Sequence, residues 1–160
     1  LLCVGAAACA KKQEVKPQAP APEQTAQAPA PQSNGKYTPA DLNTDACLRQ
    51  RVVYFDFDKS EIKPEFQQIM ACHAKYLQDR PTARMRLEGN TDERGTREYN
   101  IALGERRASA VRDYLVTLGI DGSRVQTISY GKERPVEICS AERCYEKNRR
   151  TVTLLTQSLS

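Results

Sequence analysis

The chain has 160 residues, 39% hydrophobic and 28% charged, with 9 prolines, no tryptophan and a mean hydropathy of -0.64. This fits one domain of ordinary size plus a less ordered segment; no stretch approaches the roughly 18 to 20 apolar residues of a spanning helix, which excludes a polytopic membrane protein. The net charge of +4, with 20 basic and 18 acidic side chains from Asp41 onward, excludes a strongly basic nucleic-acid binder and leaves anion binding to local arrangement.

Leu1 to Ala10 is a short apolar run that reads as the tail of a secretory signal. Ala6-Ala7-Ala8 stand directly before Cys9. A signal peptidase needs small side chains beside its cut, and a cysteine thiol at the new N-terminus can carry a diacylglycerol. The pattern is that of a lipobox with Cys9 acylated, although leucine is commoner where Ala6 stands. An ordinary signal cut after Ala8 or Ala10 is the alternative, and bulky Leu2 makes Cys3 a poor rival. From Lys11 to Lys36, Pro17, Pro20, Pro22, Pro29 and Pro31 alternate with Ala and Gln and no apolar periodicity appears. Such a segment buries too little apolar surface to offset its ordering entropy and is predicted to be an extended, disordered tether reaching on the order of 80 Å. The expected organisation is a signal remnant over 1–8, a lipidated N-terminus and linker over 9–36, and a folded domain over 37–160.

Val52-Val53-Tyr54-Phe55 suits a strand. Pro64 opens a helix whose apolar residues Phe66, Ile69, Met70, Tyr76 and Leu77 recur at helical spacing to about Asp79, where Pro81 stops it. Arg84 to Glu88 alternates as a strand with one wet face should. A second helix is predicted from about Glu98 to Leu118, ended by Gly119. Val125 to Tyr130 and Thr151 to Leu155 supply two more strands, with a cysteine-containing loop between them. The sum is βαβαββ, a two-layer α/β (α+β) sandwich with helices on one face of a mixed sheet and the other face open to water.

Four cysteines remain after Cys3 and Cys9. Cys139 and Cys144 share one loop and are predicted to pair, leaving Cys47 with Cys72, which falls about 240° round the helix from Phe66 and off its apolar stripe. Disulfides suit a compartment outside the cytoplasm. Zinc is the competing use, but Cys139-x4-Cys144 is no tight knuckle and His73 is the only histidine. His73 lies on the buried stripe, which argues against a Ser-His or Cys-His nucleophile. No glycine-rich phosphate loop occurs and no cofactor is implied. The acid pairs Asp56/Asp58 and Asp92/Glu93 keep acid/base hydrolysis as a weak second hypothesis, a cell-wall amidase or muramidase.

The densest constellation follows the alternating strand: Gly89-Asn90-Thr91-Asp92-Glu93-Arg94-Gly95-Thr96 places an acid just ahead of the second helix. On that helix Asn100, Leu103 and Arg107 stack on one face, Arg106 points elsewhere, and Ala108, Val111, Leu115 and Leu118 form the neighbouring stripe that packs on the sheet. Two readings of Asp92 and Arg107 stand open. They are a structural salt bridge, or they hold a ligand that carries both an ammonium and a carboxylate.

Together with Tyr54-Phe55-Asp56-Phe57-Asp58, Tyr99-Asn100, Leu103-Gly104-Glu105-Arg106-Arg107-Ala108, Tyr130-Gly131-Lys132-Glu133 and Asn148-Arg149-Arg150, that loop resembles the OmpA-like peptidoglycan-binding domain family, most nearly its peptidoglycan-associated lipoprotein branch. The resemblance runs over roughly Val52 to Leu155. It implies non-covalent binding of the meso-diaminopimelate residue of the peptidoglycan stem peptide, with Asp92 on the ammonium, Arg107 on the carboxylate, and Phe57, Asp58, Thr91, Asn100, Leu103 and Arg149 lining the pocket. Asn90 stands where the resemblance calls for histidine, and a neutral amide keeps a hydrogen bond but no titrating charge. The resemblance further implies an outer-membrane lipoprotein, anchored through Cys9 with its domain in the periplasm, that ties membrane to wall and meets the Tol system, TolB included.

Overall fold

The computed structural model describes residues 35–156; the signal, the Cys9 acylation site and nearly all of the tether lie outside the described residues. The elements are α1 (Asp41–Thr44), β1 (Val52–Tyr54), a 3-10 turn at Pro64–Phe66 leading into α2 (Gln67–Asp79), β2 (Arg84–Asn90), α3 (Arg97–Thr117), β3 (Val125–Gly131), α4 (Glu142–Asn148) and β4 (Arg150–Thr156). The four strands form one sheet in the order β1-β4-β2-β3, with β2 and β3 parallel and β4 antiparallel to both its neighbours. Parallel β2 and β3 need a crossover, and α3 provides it. This is the expected two-layer α+β sandwich on a mixed sheet, with a correction between the last two strands. The stretch expected to be only a loop carries α4, seeded by an acidic first turn at Glu142 and a basic last turn at Lys147.

Alternation explains the layering. Met85 and Leu87 of β2 turn inward while Arg84 is exposed and Arg86 and Glu88 are half-buried. On the inner side they meet Val53, Val125 and Leu155 from the other strands, Met70, Tyr76 and Leu77 from α2, and Ala108, Val111 and Leu115 from α3. Burying each large aliphatic side chain contributes about 1.5–3 kcal/mol. Arg149 and Arg150 tie β4 to the site end of β1, where Arg150 pairs with Tyr54 and the Phe55 N–H donates to the Arg149 carbonyl at 2.9 Å.

Cys72, off the apolar stripe that its own helix suggests, is nonetheless fully buried in the core. The segment from Tyr37 to Leu48 wraps α2, so that helix is buried well beyond the stripe its own sequence suggests. Tyr37 donates its N–H to Asp79 Oδ2 at 2.9 Å, and Cys47 is bonded to Cys72. Cys139 and Cys144 form the second disulfide. Closing a loop across a sequence separation of 25 is worth about 3.5 kcal/mol in the chain-entropy picture. Replacing Cys47 and Cys72 together by alanine is therefore expected to lower the thermal midpoint by about 10 °C. Calorimetric melting of the oxidised protein checks this, and an unchanged midpoint would show that packing alone holds the wrap.

α3 approaches β2 through two glycines. A Cβ at Gly89 would fall 1.8 Å from the Gly104 carbonyl oxygen, so backbone meets backbone where any side chain would intrude. This contact sets α3 directly above the end of β2, the place from which the candidate site is built.

Candidate functional site

At the end of β2 the chain leaves the sheet in a polar loop that ends where Thr96 caps α3, its Oγ1 accepting from the Tyr99 N–H at 3.1 Å. Gly95 has φ +97, a left-handed conformation that suits glycine. Asn100 fastens the loop to the helix, donating through Nδ2 to the Arg94 carbonyl at 2.9 Å and the Thr96 carbonyl at 3.0 Å. Thr91 ties it to β3, its N–H donating to the Gly131 carbonyl at 2.9 Å.

This junction and the turn after β1 enclose a cavity of about 250 Å³. Phe57, Asp58, Thr91, Asp92, Asn100, Leu103 and Arg107, all singled out in the sequence, line it together with Arg94, Gly95 and Tyr99. Phe57 is exposed at its rim and Asp58, at φ 56, turns the β1 loop toward it.

Arg107 is buried, bordering the cavity with no more than a trace of exposed surface. Its guanidinium donates through Nε to the Lys59 carbonyl at 2.8 Å, through Nη1 to the Asn90 carbonyl at 3.0 Å and through Nη2 to the Asp56 carbonyl at 3.1 Å. Of its five N–H groups, three hold these backbone oxygens and one on each terminal nitrogen remains. Burial pushes its pKa down to about 10 against the opposing pull of the Asp92 charge, so it stays a cation at neutral pH.

Asp92 is 4% exposed. Its partner is Arg94, so the structural Asp92–Arg107 salt bridge does not form: Arg94 donates from Nε to Oδ1 at 3.1 Å and from Nη2 to Oδ2 at 2.7 Å. Burial pushes the Asp92 pKa up, but hydrogen bonds from the Arg94 side chain and backbone, with the charges of Arg94 and Arg149, hold it below the usual 3.8. A carboxylate with a depressed folded pKa contributes stability in full above its unfolded pKa and loses it as pH falls through the folded one. The stability gap between the wild type and Asp92→Asn is therefore expected to stay constant from pH 8 to about pH 5 and to close on acidification below about 3.8, as urea titrations across that range would read.

One sequence expectation is corrected. Arg149 sits behind the pocket rather than in its wall. Its Nε donates to the Phe55 carbonyl at 2.9 Å and its Nη2 to Glu142 Oε1 at 2.7 Å, while Nη1 stands 3.6 Å from Asp92 Oδ2. Asn90 is buried and turned away, its Nδ2 donating to the Glu88 carbonyl at 3.1 Å; it meets the site through the carbonyl that Arg107 holds. The residues missed are Arg94, Gly95 and Tyr99, within or just beyond the loop that was flagged.

The acid pairs do not form a hydrolytic couple. Asp56 is exposed and paired with Lys63 at 2.9 Å, and Glu93 accepts from Ser140 and Tyr145. His73 is 2% exposed, and burial lowers its pKa to about 4 despite a backbone hydrogen bond with Gln50.

The OmpA family model matches residues 54–149. The chain is 50% identical to a peptidoglycan-associated lipoprotein of Haemophilus influenzae over 123 residues, which are 77% of this chain and 78% of that protein. It is 50% identical to one from Brucella melitensis over 103 residues, 64% of this chain and 61% of that protein. The crystal structure of the peptidoglycan-associated lipoprotein from Burkholderia pseudomallei superposes with a TM-score of 0.70 at 41% identity, covering 72% of this chain and 98% of that one.

Proposed function

This chain belongs to the OmpA family, and from that premise we propose that it is a peptidoglycan-binding lipoprotein, a binding protein rather than an enzyme, whose pocket grips the meso-diaminopimelate residue of the wall's stem peptides. The observation that carries the reading is the meeting of Asp92 and Arg107 in one cavity without a bond between them. Two opposite charges held apart by the fold leave room for a head group that supplies both complements. The ammonium end of diaminopimelate goes to Asp92, and its carboxylate takes the two free N–H groups of Arg107. A cavity of about 250 Å³ suits one amino-acid head, smaller than the roughly 300–1,000 Å³ of pockets for larger ligands. Phe57, Tyr99 and Leu103 offer apolar contact to its methylene chain, while Asp58, Thr91 and Asn100 shape the polar side.

Anchoring completes the proposal. Acylated Cys9 would hold the chain in the outer membrane, since stable attachment takes two or more lipid signals, and the Pro- and Ala-rich segment to Lys36 would let the domain reach the wall. A chain fixed at both ends ties the two layers together mechanically, and TolB with other Tol proteins are the partners proposed for it.

Sedimentation with purified sacculi tests the binding. The protein is expected to pellet with the wall, to be released by a soluble diaminopimelate muropeptide, and to liberate no muropeptides of its own. Failure to pellet would refute the reading, and released muropeptides would restore the amidase or muramidase alternative.

A further inference from the structure

The Asp92 carboxylate is already occupied. Arg94 covers it with its own backbone N–H on Oδ1 at 3.0 Å, Nε on the same oxygen at 3.1 Å, and Nη2 on Oδ2 at 2.7 Å. A carboxylate has about four acceptor positions, and this one residue fills three of them. Arg94 is held from outside as well. Its guanidinium lies between the rings of Phe57, 3.9 Å from the centroid, and Tyr145, at 4.3 Å, with Glu142 Oε2 3.9 Å away.

Tyr145 and Glu142 belong to α4, whose position is fixed in three ways. Cys139 is bonded to Cys144, Tyr145 donates to Glu93 Oε1 at 3.0 Å, and Glu142 accepts from Arg149 at 2.7 Å. An exposed arginine beside an acid is ordinarily a loose pair worth little. This one is stacked, forked and walled in, and it lines the cavity.

We infer that Arg94 is a specificity residue of the pocket: it stands on Asp92 in place of the ligand's cation, so that the site admits a head group carrying ammonium and carboxylate together and rejects one carrying an ammonium alone. The inference rests on the diaminopimelate reading above. An ammonium reaching Asp92 must displace Arg94 from Oδ2, and Arg149 already stands behind the same oxygen at 3.6 Å. The displaced guanidinium, held by its two rings, remains within a few ångströms of the newcomer.

Two like charges about 4 Å apart weaken binding by between roughly fivefold and several hundredfold, depending on how far the site excludes water. A carboxylate on the same carbon as the ammonium returns to the arginines the negative charge that the ammonium has taken. The charges that line the cavity are balanced, Arg94 and Arg107 against Asp58 and Asp92, so a zwitterionic head preserves that balance and a lone cation breaks it. Discrimination built from repulsion against the wrong ligand is the usual device where attraction alone cannot separate two similar molecules.

Calorimetric titration with a muramyl tripeptide ending in meso-diaminopimelate, and with its L-lysine counterpart, tests this in the wild type, Arg94→Gln and Arg94→Lys. The wild type is expected to prefer the diaminopimelate ligand strongly. Arg94→Gln is expected to shrink the preference by at least about tenfold, mainly because the lysine ligand gains affinity. Arg94→Lys restores the cation and with it most of the preference. Thermal melting of each variant confirms its fold. A preference unchanged in Arg94→Gln, or both ligands weakened in proportion, would overturn the inference and leave Arg94 a wall of the pocket. Wild-type protein that binds neither tripeptide would instead refute the underlying reading of the site.

Discussion

Replacing Arg107 by methionine is expected to abolish ligand binding and to lower the unfolding free energy by about 3–5 kcal/mol. Both effects come from one side chain because the guanidinium does two jobs. It is fully buried and holds three backbone carbonyls, those of Asp56 and Lys59 in the turn after β1 and that of Asn90 at the end of β2. Leaving a buried acceptor unsatisfied costs about 1–3 kcal/mol each, less whatever water and relaxation recover. Methionine fills much of the volume but donates to none of them. Arg107→Lys keeps the charge and one or two bonds, so it should recover part of the stability; it lacks the planar fork and should not recover the affinity. Urea unfolding with ligand titration on both variants reads the two effects separately. A methionine variant as stable as the wild type would show that the three carbonyls find other partners.

Gly89→Ala is expected to destabilise the domain by about 3 kcal/mol or more and to weaken binding although Gly89 touches no ligand. The added Cβ would lie 1.8 Å from the Gly104 carbonyl oxygen, and backbone on both sides leaves no flexible group to give way. α3 must lift from β2, which moves Asn100, Leu103 and Arg107 away from Thr91 and Asp92. Gly104→Ala is the milder change. Its Cβ would meet the Ser129 hydroxyl at 2.2 Å, a group that can rotate, with the Gly89 carbonyl oxygen at 3.0 Å. The expected order of thermal midpoints is wild type, then Gly104→Ala, then Gly89→Ala, with about 10 °C or more between the first and last. The reverse order for the two variants would mean that the helix, not the strand, gives way at this contact.

The strands and long helices were legible because their signals are local. Arg84 to Glu88 alternates, Pro64 and Pro81 bracket α2, and Gly119 at φ +96 ends α3 where the periodicity does. What escaped depends on contacts distant in sequence. α4 is hidden because Cys139, Ser140 and the short span read as loop, and the disulfide that holds it in place is tertiary. The burial of α2 beyond its own stripe, at Cys72, comes with the segment around Tyr37 and Leu48, which no periodicity within α2 can announce.

The site divides along the same line. Asp92, Asn100, Leu103 and Arg107 follow from a loop followed by helical spacing, and the family resemblance brings in Phe57, Asp58 and Thr91. Arg94 was missed because its neighbours in sequence do not show that its side chain folds back on Asp92, nor that Phe57 and Tyr145 close on it from two other elements. Arg149 follows the sequence expectation only in part: at the junction of α4 and β4 it stands behind Asp92, where it steadies the acid without lining the cavity.

Asp92 is the proposed cation seat of a pocket for the diaminopimelate head. Calorimetric titration of the purified chain with a soluble diaminopimelate muropeptide, beside Asp92→Asn, tests it most directly. The substitution keeps the shape of the side chain and removes its charge, and losing one partner of a buried charge pair typically costs 2–5 kcal/mol of affinity. The wild type is expected to bind saturably at one ligand per chain, and a folded Asp92→Asn with an affinity at least about thirtyfold weaker. Equal affinity in the two proteins, or no heat of binding from the wild type, would contradict it.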